Sequence, residues 1–243
     1  MIRDQIAVIT GGAKGIGRQI AMTYAREGAK VAIADLDKDR LRKTERELRG
    51  INEQVLALEV DIRQEHLVER MMAQTADHFG RIDILVNNAG IVPHFAWGVP
   101  RWPRIREMEE VFWDRVLSTN LGGTFLCTKH VLPYMEERRN GHVITLHGGG
   151  GMGSCVYVVS KDAIRTFTRF VAEEEREYDV CVICVSPGSA IATEDAPEEA
   201  RQRMPGPETV QQHFLLAAEA GMDLSGKVVT LKDGKLEVVG GGA

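Results

Sequence analysis

Apolar runs and amphipathic stretches alternate along this chain almost from its first residue. Residues 5–10 (QIAVIT) form a short apolar run that ends on Gly11 and Gly12. Residues 15–28 follow with Ile16, Ile20, Met22 and Tyr24 on one broad face and a stop at Gly28, the pattern of a helix closed by glycine. The same rhythm predicts strands over 30–35, 55–60 and 82–87, with helices over 38–49 and 64–79 between them. The second half predicts helices near 109–119 and 121–138, a strand over 142–147, a long helix near 155–177 and a strand over 179–186. A closing helix (207–220) and strand (226–233) end the pattern.

Strands made of near-continuous Val, Ile, Leu and Ala, each joined to the next by a helix, are what a parallel sheet buried on both faces requires. The expectation is one doubly wound α/β domain spanning 1–243, with no linker, repeat or low-complexity tract. Two stretches break the rhythm. Residues 92–106 carry three Pro and two Trp between a strand and a helix, and Gly148 to Gly151 with Gly153 follow the fifth strand. Unusual loops at the carboxyl ends of parallel strands are where such sheets bind ligands.

Composition narrows the function classes. The 243 residues carry 30 Lys and Arg against 35 Asp and Glu, a formal net charge of −5, which offers no footprint for nucleic acid. No apolar run approaches the ~18–20 residues of a membrane span, and the opening MIRDQIAVIT lacks a signal-peptide pattern, so a cytoplasmic protein is expected. Cys181 and Cys184 form a CxxC, but within a strand such positions face opposite sides, so neither a metal site nor a redox pair is expected. The seven His show no ligand spacing, and no metal is expected.

Two local motifs carry chemistry. The first βα turn, Thr10-Gly11-Gly12-Ala13-Lys14-Gly15-Ile16-Gly17, lets backbone approach a pyrophosphate at the start of a helix. Asp35 ends the second strand, where an acid accepts bonds from adenosine ribose hydroxyls and repels a 2′-phosphate, favouring NAD; Lys14 is a counter-signal. Further on, Tyr157 and Lys161 stand four apart and share a helix face. A cation near a Tyr hydroxyl favours the phenolate, making proton exchange with an alcohol feasible near neutrality.

Together with Asp61-Ile62, Asn87-Asn88-Ala89-Gly90, Asn120 and Ser186-Pro187-Gly188, these motifs resemble the classical short-chain dehydrogenase/reductase family across essentially the whole chain. The resemblance implies a Rossmann-like three-layer α/β/α fold. It also implies an oxidoreductase that moves hydride between NAD and a secondary alcohol or ketone. Thr10, Gly11, Gly15, Ile16 and Gly17 would hold the diphosphate, and Asp35 the ribose. Asp61 and Ile62 would bracket the adenine, while Asn87, Ala89 and Gly90 would shape the cofactor floor. Pro187 and Gly188 would line the nicotinamide. Tyr157 would be the general acid/base, Lys161 would bind the nicotinamide ribose and lower the Tyr pKa, and Asn120 would position a water in a proton relay. Family members commonly assemble as dimers or tetramers through the two long helices, so a homo-oligomer, with a homotetramer as the specific expectation, is implied.

The sequence departs from this family at one central place. Where a Ser normally hydrogen-bonds the substrate oxygen it has Gly148, beside His147, and the segment from Gly141 to Tyr157 is about four residues short. Three readings follow: Ser154 or His147 takes the donor role; backbone N–H groups of 148–151 form a nest that does; or the chain is a non-catalytic NAD(H)-binding scaffold or sensor. His94, Trp97 and Trp102 of the long loop are candidates either to roof the substrate pocket or to pack into a subunit contact.

Overall fold

The computed structural model describes residues 1–92, 103–148 and 154–239. His94, Trp97, Trp102, Gly149 to Gly151 and Gly153 therefore lie outside the described residues. Eight strands form one sheet in the order β3-β2-β1-β4-β5-β6-β7-β8. They are β1 (Ile6–Thr10), β2 (Lys30–Asp35), β3 (Val55–Glu59), β4 (Ile84–Asn87), β5 (Gly141–Leu146), β6 (Val180–Val185), β7 (Val228–Lys232) and β8 (Lys235–Val238). All neighbours pair in parallel except β7 and β8.

The strands bury both faces, and their side chains sort by a period of two. Ala7 and Ile9 of β1, with Ile33, Ile84, Ile144 and Ile183, pack beneath helices α1 (Gly15–Arg26), α2 (Lys38–Arg49) and, later in the chain, Phe214. Val8, Ala32, Leu85, Val143 and Val182 point the other way. There they meet α3 (Glu65–Phe79) and two further helices, one over Gly123–Glu136 and one over Cys155–Glu174. Cys181 belongs to the first face, while Cys184 lies against Thr145, Thr168 and Lys161 on the second, so the strand separates the two thiols.

The helices predicted near 109–119 and 121–138 are one interrupted run: α4 (Glu110–Leu117), a π turn over Ser118–Gly122, then α5 (Gly123–Glu136). Gly123 lets the joint pack closely on the Ile62 side chain, which an added Cβ would crowd. The long α6 (Cys155–Glu174) tightens into a 3-10 turn at Glu175–Tyr178. A short α7 (Glu198–Arg203) was not predicted, and the closing helix is a 3-10 turn from Pro207 followed by α8 (Gln211–Ala217). The last predicted strand, 226–233, is β7, and β8 follows it in an antiparallel hairpin beyond the predicted range. Asp233 and Gly234 both take positive φ (50° and 77°), the signature of a tight turn that reverses the chain into β8.

Where β1 parts from β2 on one side and β4 on the other, the crossovers run to opposite faces and leave a crevice beyond the strand ends. The candidate site lies there.

Candidate active site

The crevice is a cleft of about 1270 Å³. Asp35, Arg40, Asp61 and Ile62 line one part of it, Tyr157, Lys161, Pro187 and Gly188 another, and Gly11, Gly15, Ile16, Ala89 and Gly90 also border it.

The glycine turn is built by close approach. Gly11 and Gly15 sit at φ +65° and +54°, which side chains disfavour. Gly17 has no room at all: a Cβ there would stand 2.1 Å from the Gly11 carbonyl oxygen. Asn88 ties the turn down, its Nδ2 donating to the carbonyls of Thr10 (2.9 Å) and Gly11 (3.2 Å). Thr10 is part of the same tie rather than a cleft wall. Its Oγ1 donates to the Val86 carbonyl and accepts from the N–H groups of Asn88 and Ala89. Asn87 is also turned away, 4 % exposed, its Nδ2 donating to Thr128 Oγ1 at 3.0 Å. The side chains of Thr10 and Asn87, both expected at the cofactor site, are thus spent on bonds behind the glycine turn, and Asn88 is the residue that ties the turn down.

Asp35 lies at the end of β2 with its two oxygens divided: Oδ2 accepts from Ala13 N–H (3.1 Å) and Oδ1 from Asp37 N–H (3.0 Å). Asp61 is held by a forked bond from Arg63, which keeps its carboxyl low, at about 2. Gly188, at φ +77°, carries the chain out of β6 past the cleft.

Tyr157 and Lys161 share one face of α6, with the Lys161 Nζ 5.9 Å from the Tyr157 ring centre. The ammonium donates to the Leu146 carbonyl at 2.9 Å, and burial lowers its pKa to about 8. Burial acts on the phenol in the opposite direction, raising Tyr157 to about 12. In the protein without a dinucleotide, desolvation therefore sets the direction of both shifts. A consequence follows for stability. Unfolded Lys161 holds its proton up to its ordinary value of 10.5, whereas folded Lys161 releases it near 8. Between those values the unfolded chain binds more protons, so stability rises with pH. Lys161→Met removes this handicap: its melting temperature relative to wild type should be most favourable below pH 8 and should converge with wild type towards pH 10.5. A constant difference across that range would contradict the assignment.

Asn120 sits inside the π turn, 1 % exposed. Its Oδ1 accepts from Ile91 N–H (2.7 Å), and Nδ2 donates to the Ile91 carbonyl (3.2 Å) and Ser160 Oγ (3.1 Å). Ser160 Oγ in turn donates to the Tyr157 carbonyl (2.7 Å), so Asn120 is wired to the helix that carries Tyr157. π turns of this kind cluster at functional sites.

Ser154 is 1 % exposed and is the N-cap of α6, its Oγ accepting from Tyr157 N–H at 3.4 Å. Its hydroxyl thus supports the start of the helix, and Ser154 is not among the described residues that line the cleft. Gly148 follows β5 and lies beside Tyr157: among the described residues, only Tyr157 Oη comes within 4 Å of a Cβ built there, at 3.4 Å. His147 borders the same cleft, its Nε2 3.7 Å from Asp162 Oδ1, and burial lowers its pKa towards the neutral imidazole.

Residues 189–197 fold back along the glycine turn, a contact that no local pattern announces. Glu194 Oε2 accepts from the Gly15 N–H at 2.9 Å, and Asp195 pairs with both Lys14 and Arg40. Among the described residues, no three His, Cys, Asp or Glu side chains gather as a metal site, and no helix is long and apolar enough to cross a membrane.

Residues 5–203 match the family model for short chain dehydrogenase. Over 190 residues the chain is 38% identical to the (2S)-((R)-hydroxy(phenyl)methyl)succinyl-CoA dehydrogenase subunit BbsD of Thauera aromatica, covering 77% of this chain and 73% of that one. It is 30% identical over 249 residues to the 3-oxoacyl-(acyl-carrier-protein) reductase FabG of Thermotoga maritima, covering 96% and 98%. Its fold matches the crystal structure of a short-chain type dehydrogenase/reductase from Mycobacterium marinum with a TM-score of 0.84, at 27% identity over 96% of each chain. The protein belongs to the short-chain dehydrogenase/reductase family. Members of this family are oxidoreductases that use nicotinamide cofactors. The residues present suit such a group: a glycine turn that a single Cβ would fill at the start of α1, where the Gly15 N–H already donates to an anionic carboxylate, and a carboxylate at the end of β2.

Proposed function

We propose that this protein is an NAD(H)-dependent oxidoreductase that interconverts a secondary alcohol and a ketone, with Tyr157 as its acid and base. The observation that carries this reading is the convergence of Tyr157, Lys161 and Asp35 on one cleft at the switch point of the sheet. A nicotinamide dinucleotide bound there supplies the hydride acceptor for alcohol oxidation and the hydride donor for ketone reduction. Tyr157 Oη takes the alcohol proton in the first direction and returns it to the ketone oxygen in the second. In the protein alone burial holds the phenol protonated, the form that donates in reduction; taking the alcohol proton needs the phenolate, which the Lys161 charge and a bound nicotinamide cation would favour. Lys161, fixed on the Leu146 carbonyl, holds a positive charge beside it and presents its ammonium to the ribose. Asn120 keeps Ile91 and α6 in register, and in this reading it would position a water of the proton relay. The space beside Tyr157 Oη that a side chain at 148 would take is left to the substrate oxygen, oriented from His147 or the backbone beyond it.

In this reading Asp35 faces the adenosine ribose and sets the preference for NAD over NADP. Asp35→Ala should lower the ratio of NADH to NADPH affinity by about tenfold or more, since it removes both the ribose acceptor and the repulsion of a 2′-phosphate. Fluorescence titration of the two reduced dinucleotides measures this directly; an unchanged ratio would mean that Asp35 does not read the ribose.

The working form is a cytoplasmic homo-oligomer, a dimer or tetramer built on α5 and α6. Phe125 of α5 (47% exposed) and Phe170 of α6 (54%) remain uncovered on those helices, which suits a second copy of the chain.

A further inference from the structure

We propose that Asp195, carried on the segment that follows β6, is a selectivity residue for the dinucleotide: it withholds Lys14 and Arg40 from a 2′-phosphate. The proposal rests on the reading that the adenosine ribose lies at Asp35.

The geometry around Asp35 presents two opposed signals. Its carboxylate holds the backbone of Ala13 with one oxygen and of Asp37 with the other. Lys14 follows Ala13 directly, and Arg40 is the residue whose N–H Asp37 caps at the start of α2. The two cations therefore spring from the two backbone segments that Asp35 itself holds, and all of them border the same cleft. An acid at this place reads a ribose hydroxyl, whereas a cation beside it accommodates a 2′-phosphate. Left to themselves, Lys14 and Arg40 would offer such a phosphate an ammonium and a guanidinium fork.

Asp195 removes that offer. Its Oδ2 pairs with the Lys14 ammonium, and its Oδ1 accepts from Arg40 Nη1 at 2.8 Å, so one carboxylate bridges both cations. Asp37 adds a weaker contact to Arg40 at 3.4 Å. Although partial burial works against the charged form of Asp195, the bonds to Lys14 and Arg40 keep its pKa below the usual value. The bridge is seated by its neighbours: Glu194 accepts from Gly15 N–H, and Ala192 N–H donates to the Pro205 carbonyl at 2.9 Å. A 2′-phosphate would have to displace Asp195 from both partners and then face Asp35; a ribose hydroxyl has neither task.

The test is a titration of NADH and NADPH, followed by nicotinamide fluorescence, against four forms of the protein: wild type, Asp195→Asn, Arg40→Gln and the double variant. Asp195→Asn should raise NADPH affinity about tenfold while NADH affinity moves by less than about twofold. Arg40→Gln alone should cost NADPH little, because that cation is already engaged, yet in the Asp195→Asn background it should cancel most of the gain. That non-additivity is a readout that a loosened fold would not produce. A selectivity ratio unmoved by Asp195→Asn overturns the proposal, as do additive effects of the two substitutions. If Asp195→Asn does not fold, Arg40→Gln decides alone: a large loss of NADPH affinity there means the cation was free, and the proposal fails. Wild type binding NADPH as tightly as NADH would instead overturn the reading of Asp35, while the Asp195 effect is still read from the shift in ratio.

Discussion

Tyr157→Phe is expected to lower turnover by about 10²–10⁴-fold while leaving NADH affinity within about threefold of wild type, the range that loss of one general acid/base covers. The substitution removes only the phenol oxygen. The backbone bonds of Tyr157, its N–H on Ser154 Oγ and its carbonyl under Ser160 Oγ, do not involve that atom, so α6 and its cap should stand. Melting temperature should accordingly be unchanged, and the deficit should appear in kcat rather than in dinucleotide binding. Steady-state turnover and fluorescence titration on the same preparation separate these. Retained turnover would show that another group moves the proton, and His147 at the same cleft would be the first to examine.

The second large effect is structural in origin and functional in consequence. Gly17→Ala is expected to abolish dinucleotide binding and to lower the melting temperature. The added methyl carbon would stand 2.1 Å from the Gly11 carbonyl oxygen and 2.4 Å from Asn88 Nδ2, inside the hydrogen bond that closes the turn. One of these partners is backbone, so relief requires the turn to open and α1 to move outward. Overpacking commonly costs ~1–3 kcal/mol, and in a chain of this size each kcal/mol lowers the melting temperature by roughly 2–4 °C. Gly122→Ala is the matched control. Gly122 has helical angles, and the nearest atom to its added carbon is 3.7 Å away, so that variant should melt no lower than wild type. Wild-type binding by Gly17→Ala would mean that the turn does not approach a ligand as closely as described.

What the sequence disclosed and what it hid divide along physical lines. The alternating strands, the glycine turn, Asp35 and the Tyr157–Lys161 pair are local patterns, set by side-chain period and by residues adjacent along the chain, and the structure places each where the pattern put it. Ser154 was half legible: a Ser immediately before an amphipathic helix is an N-cap, and that use accounts for its hydroxyl. The Asp233-Gly234 turn is an equally legible hairpin signal, lying at the end of the predicted strand with β8 beyond it. The pKa of Tyr157 was not available, because spacing shows that a cation is near but not that burial governs both partners. Least visible were the long-range ties. Asn88 reaches back to Thr10 and Gly11 across the switch point, and Asp195 meets Lys14 from the far end of the sequence. Such contacts arise only once the sheet has brought remote strand ends together, and no window of the chain contains both partners.

The central claim is that Tyr157 carries out alcohol–ketone chemistry with glycine at position 148. Its most direct test is NADH formation from NAD⁺ over a panel of secondary alcohols at mildly alkaline pH, with Tyr157→Phe run alongside. The account predicts turnover on at least one alcohol class that disappears in Tyr157→Phe. Tight NADH binding with no turnover on any alcohol, or turnover that survives in Tyr157→Phe, would contradict it.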